Sequence, residues 1–291
     1  MASPREIRRR IRSVRNMSQI TRAMEMVSAA KLRRAQERVQ ASRPYSDRLR
    51  GVIADLASLQ LDAEQLKQFP LLAARPVQRT ALIMVTPDRG LTGALNGNIM
   101  RRGARYIREE AGVPVQSIAV GKRGRDFLLR TRQEVVAEFI GLGDRPTLDE
   151  IRPIAQVAMQ DYFDEKIDAV HVVFPRFVNT MTQRPEAMQI LPIERPEAPE
   201  DANDRVDYIF EPSPQAVLEA LLPRYVEIQL YQAILESIAS EHSARMVAMR
   251  NATDNAKELV DDLSLSYNNA RQAQITNEVA EISAGANAFR V

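Results

Sequence analysis

The sequence predicts an α/β protein with two long terminal helices that wind around each other and an inserted α/β domain built on a mostly parallel sheet. Arg5 to Arg43 contains no Pro or Gly, and neither does the run of 61 residues from Arg224 to Ala284. Nothing in either stretch therefore stops a helix. Between them, Arg75 to Ile193 alternates short β-rich runs with helical ones, as crossover units around a parallel sheet do.

The N-terminal helix is amphipathic, because its apolar residues recur at spacings of three and four. We expect a narrow buried seam along one side of it. Pro44 lacks the amide that a helix interior needs, so a kink or a restart is expected there. The predicted seam residues are Ile7, Ile11, Val14, Met17, Ile20, Met24, Val27, Leu32, Ala35 and Val39.

The α/β domain is expected over residues 75–194, between an N-terminal helical region over residues 1–60 and a linker over residues 195–212 that is rich in Pro and acids. Its predicted strands are Thr80 to Val85, Val115 to Val120, Glu134 to Ile140 and Asp168 to Phe174. Its predicted helices run from about Asn98 to Ala111, from Lys122 to Arg132 and from Leu148 to Glu165.

The C-terminal helix is expected over residues 213–291. Ser213 followed by Pro214 fits an N-cap with Pro at the first helical position. The Pro-free and Gly-free run alone would be ~90 Å long, so the helix must lie against another long helix or inside a partner, and its end should project beyond the paired region. Steps of four and three predict a coiled-coil seam. Its residues are Leu221, Tyr225, Ile228, Tyr231, Leu235, Ile238, His242, Arg245, Met249, Ala252, Ala256, Leu259 and Leu263.

Composition excludes several classes of protein. The 291 residues carry 40 basic and 38 acidic side chains, but Arg5 to Arg43 holds eleven Arg and Lys31 against three Glu, so this end should face an acidic partner. There is no Cys, which excludes disulfides, thiolate zinc sites and thiol redox control. No uninterrupted apolar window reaches about 18 residues, so neither a membrane span nor a secretory signal is expected.

Two turns in the α/β domain are weak candidates for phosphate binding. Thr86 to Gly97 follows a strand and precedes a helix, where α/β folds bind phosphates, but it lacks the G-x-G-x-x-G spacing and a Lys followed by Ser or Thr. Gly121 to Gly124 forms a second such turn. His171 is interpreted as a strand side chain and His242 as a polar seam position, because neither has metal-ligand spacing around it. We expect no catalytic constellation, cofactor or metal site.

The two helix ends leave alternatives open. The basic N-terminal helix could follow nucleic acid phosphates, lie on an anionic membrane, or present a solvated coiled-coil face. The C-terminal tip from Ser283 to Ala288 has almost no side chains. It is either a fraying terminus or a smooth tip that fits a close sleeve.

Three blocks of the sequence together resemble the gamma subunit of F-type ATP synthases. They are Ile7 to Gln36, Thr86 to Asn96 and Glu241 to Phe289, and the resemblance also includes Val206 to Pro214 and the spacing between blocks. It implies an antiparallel coiled coil of the terminal helices plus an inserted Rossmann-like α/β domain. It also implies a non-catalytic rotor shaft that couples rotation of the membrane c ring to the conformational cycle of the catalytic beta subunits and regulates ATPase activity and proton flow.

The resemblance also implies partners and a location. The partners are a hexameric ring of alpha and beta subunits, the epsilon subunit and the c ring, with no nucleic acid and with membrane contact only through the c ring. The implied location is peripheral, on the cytoplasmic face of a bacterial cell membrane, since the sequence shows no transit extension. Plant versions carry an insert with a Cys pair, and this sequence has neither, so thiol regulation is not expected.

Residues are assigned by matching the family's motifs. Beta-subunit contact and coupling are implied for Arg8, Arg9, Arg12, Arg15, Met24, Arg271, Gln272, Thr276 and Glu278. Contact with the c ring and epsilon is implied for Tyr208 and Phe210. The family's turn motif corresponds to Asp88, Arg89, Gly90 and Gly93, with Thr92 where many relatives carry Cys.

Two other functions are also consistent with the sequence. One is a nucleotide-binding α/β enzyme with a coiled-coil arm, which would bind ATP tightly as an isolated chain. The other is a basic coiled-coil binder of nucleic acid, whose affinity for duplex would decrease steeply with salt.

Overall fold

Long helices lie at both ends of the chain, α1 over Pro4–Ser58 and α5 over Pro214–Ala288. The structure, a computed structural model, describes residues 3–58, 69–194 and 211–288. A 3-10 turn over Pro70–Leu72 precedes the sheet elements, and a π-helical turn over Tyr106–Glu110 follows α2. The strands of the α/β domain are β1 (Thr80–Val85), β2 (Val115–Val120), β3 (Glu134–Phe139), β4 (Ala169–Phe177) and β5 (Gln183–Leu191). Its helices are α2 (Leu95–Arg105), which follows β1, α3 (Lys122–Arg130), which follows β2, and α4 (Leu148–Phe163), which follows β3.

The chain folds into two units, and each contains part of both long helices. One unit consists of Met1–Ser28 and Arg245–Val291. The other consists of Ala29–Ala244, and it contains the whole sheet. The predicted fold class, long terminal helices with an inserted α/β domain, is confirmed.

The sheet has the strand order β3-β2-β1-β4-β5. Strands β1 to β4 are parallel, whereas β5 is antiparallel to β4 and forms a hairpin with it. The predicted bounds of β1 and β2 are confirmed, while β4 continues three residues beyond its predicted end. The sequence prediction did not include β5, because Pro185 interrupts its pattern. Proline is tolerated there since β5 is an edge strand.

The helices of the α/β domain end where the backbone becomes left-handed. Arg132 and Glu165 have φ of 56° and 57°, so α3 and α4 end before them, at Arg130 and Phe163 rather than at their predicted last residues. Helix α2 begins at Leu95, three residues before the predicted start. Thr147 and Glu150 form a capping box at the start of α4, which satisfies amides that the first helical turn leaves free.

The start of α5 agrees with the sequence prediction. The Ser213 hydroxyl accepts the amide of Ala216 at 3.2 Å, and Pro214 is the first helical residue. Pro tolerates this position because its missing amide would be unpaired there anyway.

Helix α1 does not restart at Pro44, so that part of the prediction is wrong. The helix is continuous from Pro4 to Ser58. Pro44 itself is exposed, and Val39 and Leu49, on either side of it, are buried. Packing on both sides of the proline therefore holds the helix together despite the amide that Pro44 lacks.

In the unit formed by Met1–Ser28 and Arg245–Val291, the two helical segments run antiparallel. The hydroxyl oxygens of Thr21 and Thr253 lie 2.7 Å apart. The Arg250 guanidinium pairs with the Glu25 carboxylate at 2.8 Å. As residue numbers increase along α1, the numbers of their contact partners on α5 decrease, which is the antiparallel arrangement that the resemblance implied.

The buried seam of α1 differs from the predicted one at four positions, since the half-buried Met24 lies beside the seam residue Glu25. Met17, Ile20 and Val27 are 55%, 55% and 56% exposed. Small polar residues take their place in the seam, which keeps alternating steps of four and three. The seam is Ile7, Ile11, Val14, Ser18, Thr21, Glu25, Ser28, Leu32, Ala35, Val39, Ser42, Ser46, Leu49 and Ile53. The prediction considered only apolar residues and was wrong here, because the seam positions near residue 20 are filled by small side chains with hydroxyl groups.

Helix α5 has different surroundings along its length. From Leu218 to Ala244 most of its side chains are buried or half-buried, so this part is a core helix rather than a coiled-coil strand. Residues 245–248 are still half-buried, and from Met249 onward only a narrow row is covered, which includes Met249, Thr253 and Ala256. Leu259 was predicted in this row and is 47% exposed, which makes that assignment wrong.

Candidate functional site

Four arginines of α1 form a basic surface opposite the buried seam. Arg8, Arg9, Arg12 and Arg15 are exposed, while Ile7 is buried. Among the described residues, none of the four has a carboxylate within ion-pair distance. Four unpaired guanidinium groups on one short segment create a positive potential that attracts an acidic partner.

Met24 lies between two polar cross-helix contacts. Its side chain is half-buried. The Thr21–Thr253 pair lies one turn before it, and the Glu25–Arg250 ion pair follows directly. The thioether is therefore an apolar interruption in a polar stretch of the helix pair, and a charged side chain there would compete with the Glu25–Arg250 pair.

An exposed apolar stripe accompanies the basic surface. It consists of Met17, Ile20 and Val27 at spacings of three and seven, each more than half exposed. Met26 is also exposed and lies about 100° around the helix from Val27. The apolar spacing predicted the three stripe residues in the seam, so their exposure was not expected. The signal that identifies them is the strict heptad register set by Ser18, Thr21 and Ser28, once small hydroxyl residues are allowed as contact positions.

The four C-terminal residues for which the resemblance implies contact with beta lie where α5 is exposed on every face. Arg271, Gln272, Thr276 and Glu278 are all exposed, and so is every other side chain from Arg271 to Ser283. The Gln274 amide donates to the Glu278 carboxylate at 2.8 Å, one helical turn away. The stretch also exposes Ile275, Val279 and Ile282 at 47%, 60% and 73%.

A helix with no buried face gains nothing from packing within its own chain. The stretch from Arg271 to Ser283 therefore has the properties of a segment that a partner covers. Helix α5 continues to Ala288, and the side chains of the predicted smooth tip beyond Ser283 lie outside the described residues. Tyr208 and Phe210 also lie outside the described residues.

The turn after β1 is organised around Asp88. One carboxylate oxygen accepts the amide of Lys122 at 2.8 Å, and the other accepts the amide of Gly141 at 2.9 Å. Lys122 is the first residue of α3, so the carboxylate lies at the helix N-terminus, where an α/β fold binds a phosphate. The protein's own acid occupies this position.

The second turn is closed by direct backbone contact. A Cβ on Gly121 would lie 1.8 Å from the carbonyl oxygen of Thr86, so only glycine fits there. The Thr86 hydroxyl accepts the amide of Gly124 at 2.7 Å. Between these turns and helix α5 there is a cavity of about 50 Å³, lined on the α5 side by Ile234, Ser237, Ile238 and Glu241. This is far below the several hundred Å³ of a typical ligand pocket.

The remaining motif residues shape the turn. Gly93 has φ of 56°, a left-handed conformation that suits glycine, and Leu91 adopts φ of 63° next to it. Arg89 is exposed, and its carbonyl accepts the Asn96 side-chain amide at 3.3 Å. Gly90 leaves room for the Arg123 guanidinium, 3.2 Å from where a Cβ would stand. Thr92 is buried, so a similarly small Cys in relatives suits the same space.

The two histidines lie in separate structural clusters. His171, in β4, accepts or donates a 2.7 Å hydrogen bond with the Tyr106 hydroxyl, and burial lowers the pKa of His171. His242, in α5, is 1% exposed, and its ring nitrogen lies 3.2 Å from the Asp144 carboxylate. The other oxygen of Asp144 pairs with Lys31 of α1 at 2.6 Å. Within the described ranges no three side chains of His, Cys, Asp or Glu come together as a metal site requires.

The large cavity of the second unit is polar and lies against the hairpin. It has a volume of about 720 Å³ and is bordered by α1, β4, β5 and α5. Arg50, Arg176 and Glu236 contribute charges of both signs to its lining. Apolar side chains such as Phe174, Met188 and Ile190 also line it, but its charges of both signs give no single ligand chemistry, whereas a small-molecule site is mostly apolar with few polar groups.

Comparison with known proteins gives a consistent family assignment. A family model described as ATP synthase matches residues 3–289. The ATP synthase gamma chain of Roseiflexus castenholzii is 56% identical over 292 residues, with 99% of each chain covered. The ATP synthase gamma chain of Herpetosiphon aurantiacus is 54% identical over 298 residues, again with 99% of each chain covered.

Solved structures show the same fold at lower identity. A chain in the Euglena gracilis mitochondrial ATP synthase, in a structure of OSCP, F1 and c-ring, has a TM-score of 0.67 at 18% identity and covers 98% of this chain and 94% of its own. A chain in the central stalk and c-ring of the Tetrahymena thermophila mitochondrial ATP synthase has a TM-score of 0.59 at 22% identity, and covers 80% and 99%. Among the described residues, no helix is both long enough and apolar enough to cross a bilayer.

Proposed function

Since this chain belongs to the gamma-chain family of ATP synthases, we propose that it acts through the surface of its paired helices. Its contacts with the catalytic ring are then the basic surface and the apolar stripe of α1 and the exposed end of α5. The chain is the rotor shaft of an F-type ATP synthase. It is a non-catalytic subunit, and the ATP chemistry takes place in the beta subunits.

The observation that carries the contact proposal is the stretch from Arg271 to Ser283, which is exposed on every face. Exposed Ile275, Val279 and Ile282 on an isolated helix are costly in water unless another protein covers them. The ring of alpha and beta subunits supplies such a cover, and Arg271, Gln272, Thr276 and Glu278 are the polar groups that engage it.

The basic surface supports a second contact with the ring. Arg8, Arg9, Arg12 and Arg15 are unpaired within the described part of the chain, so they are available for the acidic lever segments of beta. Charge pairs across a partly solvated interface are individually weak. Weak pairs suit a rotor, because the shaft must leave each beta subunit in turn.

The shaft couples rotation to the nucleotide sites because its contacts differ from one beta subunit to the next. An asymmetric shaft presents a different face to each of the beta subunits, and each face stabilises a different conformation of the nucleotide site. A contact shifts a conformational equilibrium only by as much as it differs between the states. The exposed face of the helix pair, rather than a pocket, is therefore where the functional residues lie.

The partners in this role are the alpha and beta subunits of the ring, the epsilon subunit and the c ring. The membrane contact is then indirect, through the c ring. We place the chain on the cytoplasmic face of a bacterial cell membrane. Protease should digest it in inside-out vesicles and leave it intact in right-side-out vesicles, and the reverse pattern would refute this placement.

The experiment that tests the ring contact is co-expression with the alpha and beta subunits of the same organism. One copy of the chain should enter a hexameric ATPase. A variant in which Arg8, Arg9, Arg12 and Arg15 are all changed to Gln should bind the ring more weakly and with a smaller salt dependence. Ring binding with unchanged affinity and salt dependence would exclude the basic surface as a contact.

A matched control removes four exposed arginines from elsewhere. Arg101, Arg108, Arg130 and Arg184 of the α/β domain are all exposed, so changing them to Gln lowers the net charge by the same amount. This control should retain the affinity of the unmodified chain. An equal loss in both variants would attribute the effect to net charge rather than to the N-terminal segment.

A further inference from the structure

Three polar side chains on one face of α5 lie against the backbone of the β4–β5 hairpin. The Ser240 hydroxyl donates to the carbonyl of Pro175 at 2.9 Å. The Ser243 hydroxyl donates to the carbonyl of Thr180 at 2.8 Å. The Glu236 carboxyl group lies near the backbone amide of Phe177, which lowers the pKa of Glu236, although burial raises that pKa more. Spacings of four and three place Glu236, Ser240 and Ser243 on the same side of the helix, and we name these three residues the hairpin clamp.

The Ser240–Pro175 bond is fully buried and has no competition from water, whereas the Ser243–Thr180 bond is partly buried because Thr180 is exposed. Ser240 and Ser243 are both 0% exposed, and Glu236 is half-buried. A buried carbonyl that loses its donor pays the full cost of desolvation. The side-chain amide of Gln183 adds a fourth contact, donating to the Ser243 hydroxyl at 3.3 Å.

The hairpin that the clamp holds is internally stiff. The side-chain oxygen of Asn179 accepts the amides of Met181 and Thr182 at 2.9 and 2.8 Å. The amide of Val178 donates to the Thr182 carbonyl at 3.3 Å. With its own turn closed by these bonds, the hairpin transmits a displacement of β4 and β5 rather than absorbing it.

The apolar packing around the clamp combines small and large side chains. Ala233, Ala239 and Ala244 are 2%, 0% and 9% exposed and offer only methyl groups, whereas Ile234 and Ile238 are also buried and bulky. Apolar contacts are not directional, whereas hydrogen bonds weaken steeply with distance and angle. A shift of α5 by one turn, about 5.4 Å, would break both serine bonds of the clamp together.

We propose that Glu236, Ser240 and Ser243 are positioning residues that fix the register between α5 and the α/β domain, so that rotation passes from one to the other without slip. This inference rests on the proposed function, in which the helix and the α/β domain must turn as one body. In this role the clamp contributes to coupling without contacting a partner subunit.

The first test is hydrogen exchange in the full-length chain. The double variant S240A/S243A should lower the protection of the hairpin amides, including Phe177 and Thr182, by roughly tenfold or more. The control Ser264→Ala removes a hydroxyl that bonds within its own helix, to the carbonyl of Val260 at 2.6 Å, and should leave the hairpin unchanged. Unchanged hairpin protection in the double variant would overturn the proposal.

Glu236 provides a rescue that separates positioning from loss of packing. Glu236→Gln keeps a side-chain oxygen near the Phe177 amide, so hairpin protection should remain. Glu236→Ala removes that oxygen, so protection should decrease. Equal behaviour of the two variants would show that the acceptor at residue 236 does not hold the hairpin.

The second test measures coupling in membrane vesicles that carry the assembled ATP synthase. The double variant should hydrolyse ATP at a rate close to that of the unmodified enzyme while pumping fewer protons per ATP, and Ser264→Ala should pump normally. Normal pumping by the double variant would refute the coupling role. If the double variant does not assemble, the exchange result decides: lost hairpin protection supports the register role, and retained protection overturns it. Failure of the unmodified chain to enter the ring would refute the proposed function alone.

Discussion

The Asp88 carboxylate lies at the amino terminus of α3, where it accepts the amide of Lys122 at 2.8 Å. Its second oxygen accepts the amide of Gly141, so one side chain joins the turns that follow β1, β2 and β3. The turn that most resembles a phosphate-binding site therefore has a structural role, since it connects three loops of the sheet. This argues against the nucleotide-binding rival, and it explains why a phosphate-like position in the fold carries no phosphate motif.

Replacing Asp88 with Ala should destabilise the α/β domain. Two backbone amides lose their acceptor, and the α3 N-terminus loses a favourable negative charge, so the free energy of unfolding should decrease by about 2–3 kcal/mol. Urea denaturation of the full-length chain measures this. Glu109→Ala is the control, because Glu109 is exposed and lies 3.8 Å from Arg105, and it should change stability by less than about 0.5 kcal/mol.

Replacing Met24 with Lys should weaken coupling between ATP hydrolysis and proton pumping. A lysine ammonium at this half-buried position can pair with an acidic group of a beta lever, and a pair that persists makes the shaft stall in one orientation. Proton pumping per ATP in membrane vesicles should decrease. Met24→Leu, which keeps the apolar character, should pump normally, and an unchanged ratio in Met24→Lys would contradict the assignment.

The Thr21–Thr253 pair should behave as a unit. Changing either threonine alone to Val removes the contact between the two hydroxyls, which should cost about 0.5–1.5 kcal/mol because the other hydroxyl still bonds to a carbonyl of its own helix. The double change T21V/T253V should cost less than the sum of the two single changes, because the shared contact is lost only once. Thermal or urea unfolding of the four proteins completes the cycle, and strict additivity would show that the pair makes no joint contribution.

Glu236 should make stability depend on pH in the direction opposite to a salt-bridged acid. Burial raises the pKa of Glu236, and the nearby Arg176 and Arg43 lower it less than burial raises it. A folded-state pKa above the unfolded one gives stability that is fully present below the unfolded pKa and is lost as pH rises through the folded value.

The matching variant isolates this contribution. Glu236→Gln cannot ionise, so its advantage over the unmodified chain should be small near pH 4 and grow through neutral pH, by about 1.4 kcal/mol for each unit of difference between the two pKa values. Urea unfolding at a series of pH values measures the difference. A constant difference across the series would show that Glu236 does not titrate in this range.

The sequence predicted those parts of the fold that depend on strong local patterns. The bounds of β1 and β2 and the Ser213–Pro214 start of α5 agree because a continuous apolar run and an N-cap with Pro are local signals. Strand β5 was missed because its residues are half-buried at an edge and include Pro185. Pairing with β4, a contact that no local pattern encodes, makes it a strand.

The candidate site shows the same division. The exposed Arg8 to Arg15 segment and the C-terminal contact residues could be named from motif resemblance, since both lie on helices with clear patterns. The exposure of Met17, Ile20 and Val27 could not, because it depends on Ser18, Thr21 and Ser28 packing against a distant part of the chain. The hairpin clamp was equally hidden, because Ser240 and Ser243 bond to backbone groups more than 60 residues away.

The exposed end of α5 has a consequence for how the cell must handle this chain before assembly. Ile275, Val279 and Ile282 are exposed in the part of the chain that the structure describes, so a copy made in excess of its partners presents an apolar helix surface that other proteins can bind. Such a copy is a natural substrate for chaperones and proteases. Balanced synthesis with the other subunits is therefore a requirement that originates in the last turns of this helix, and orphaned copies should have a short lifetime.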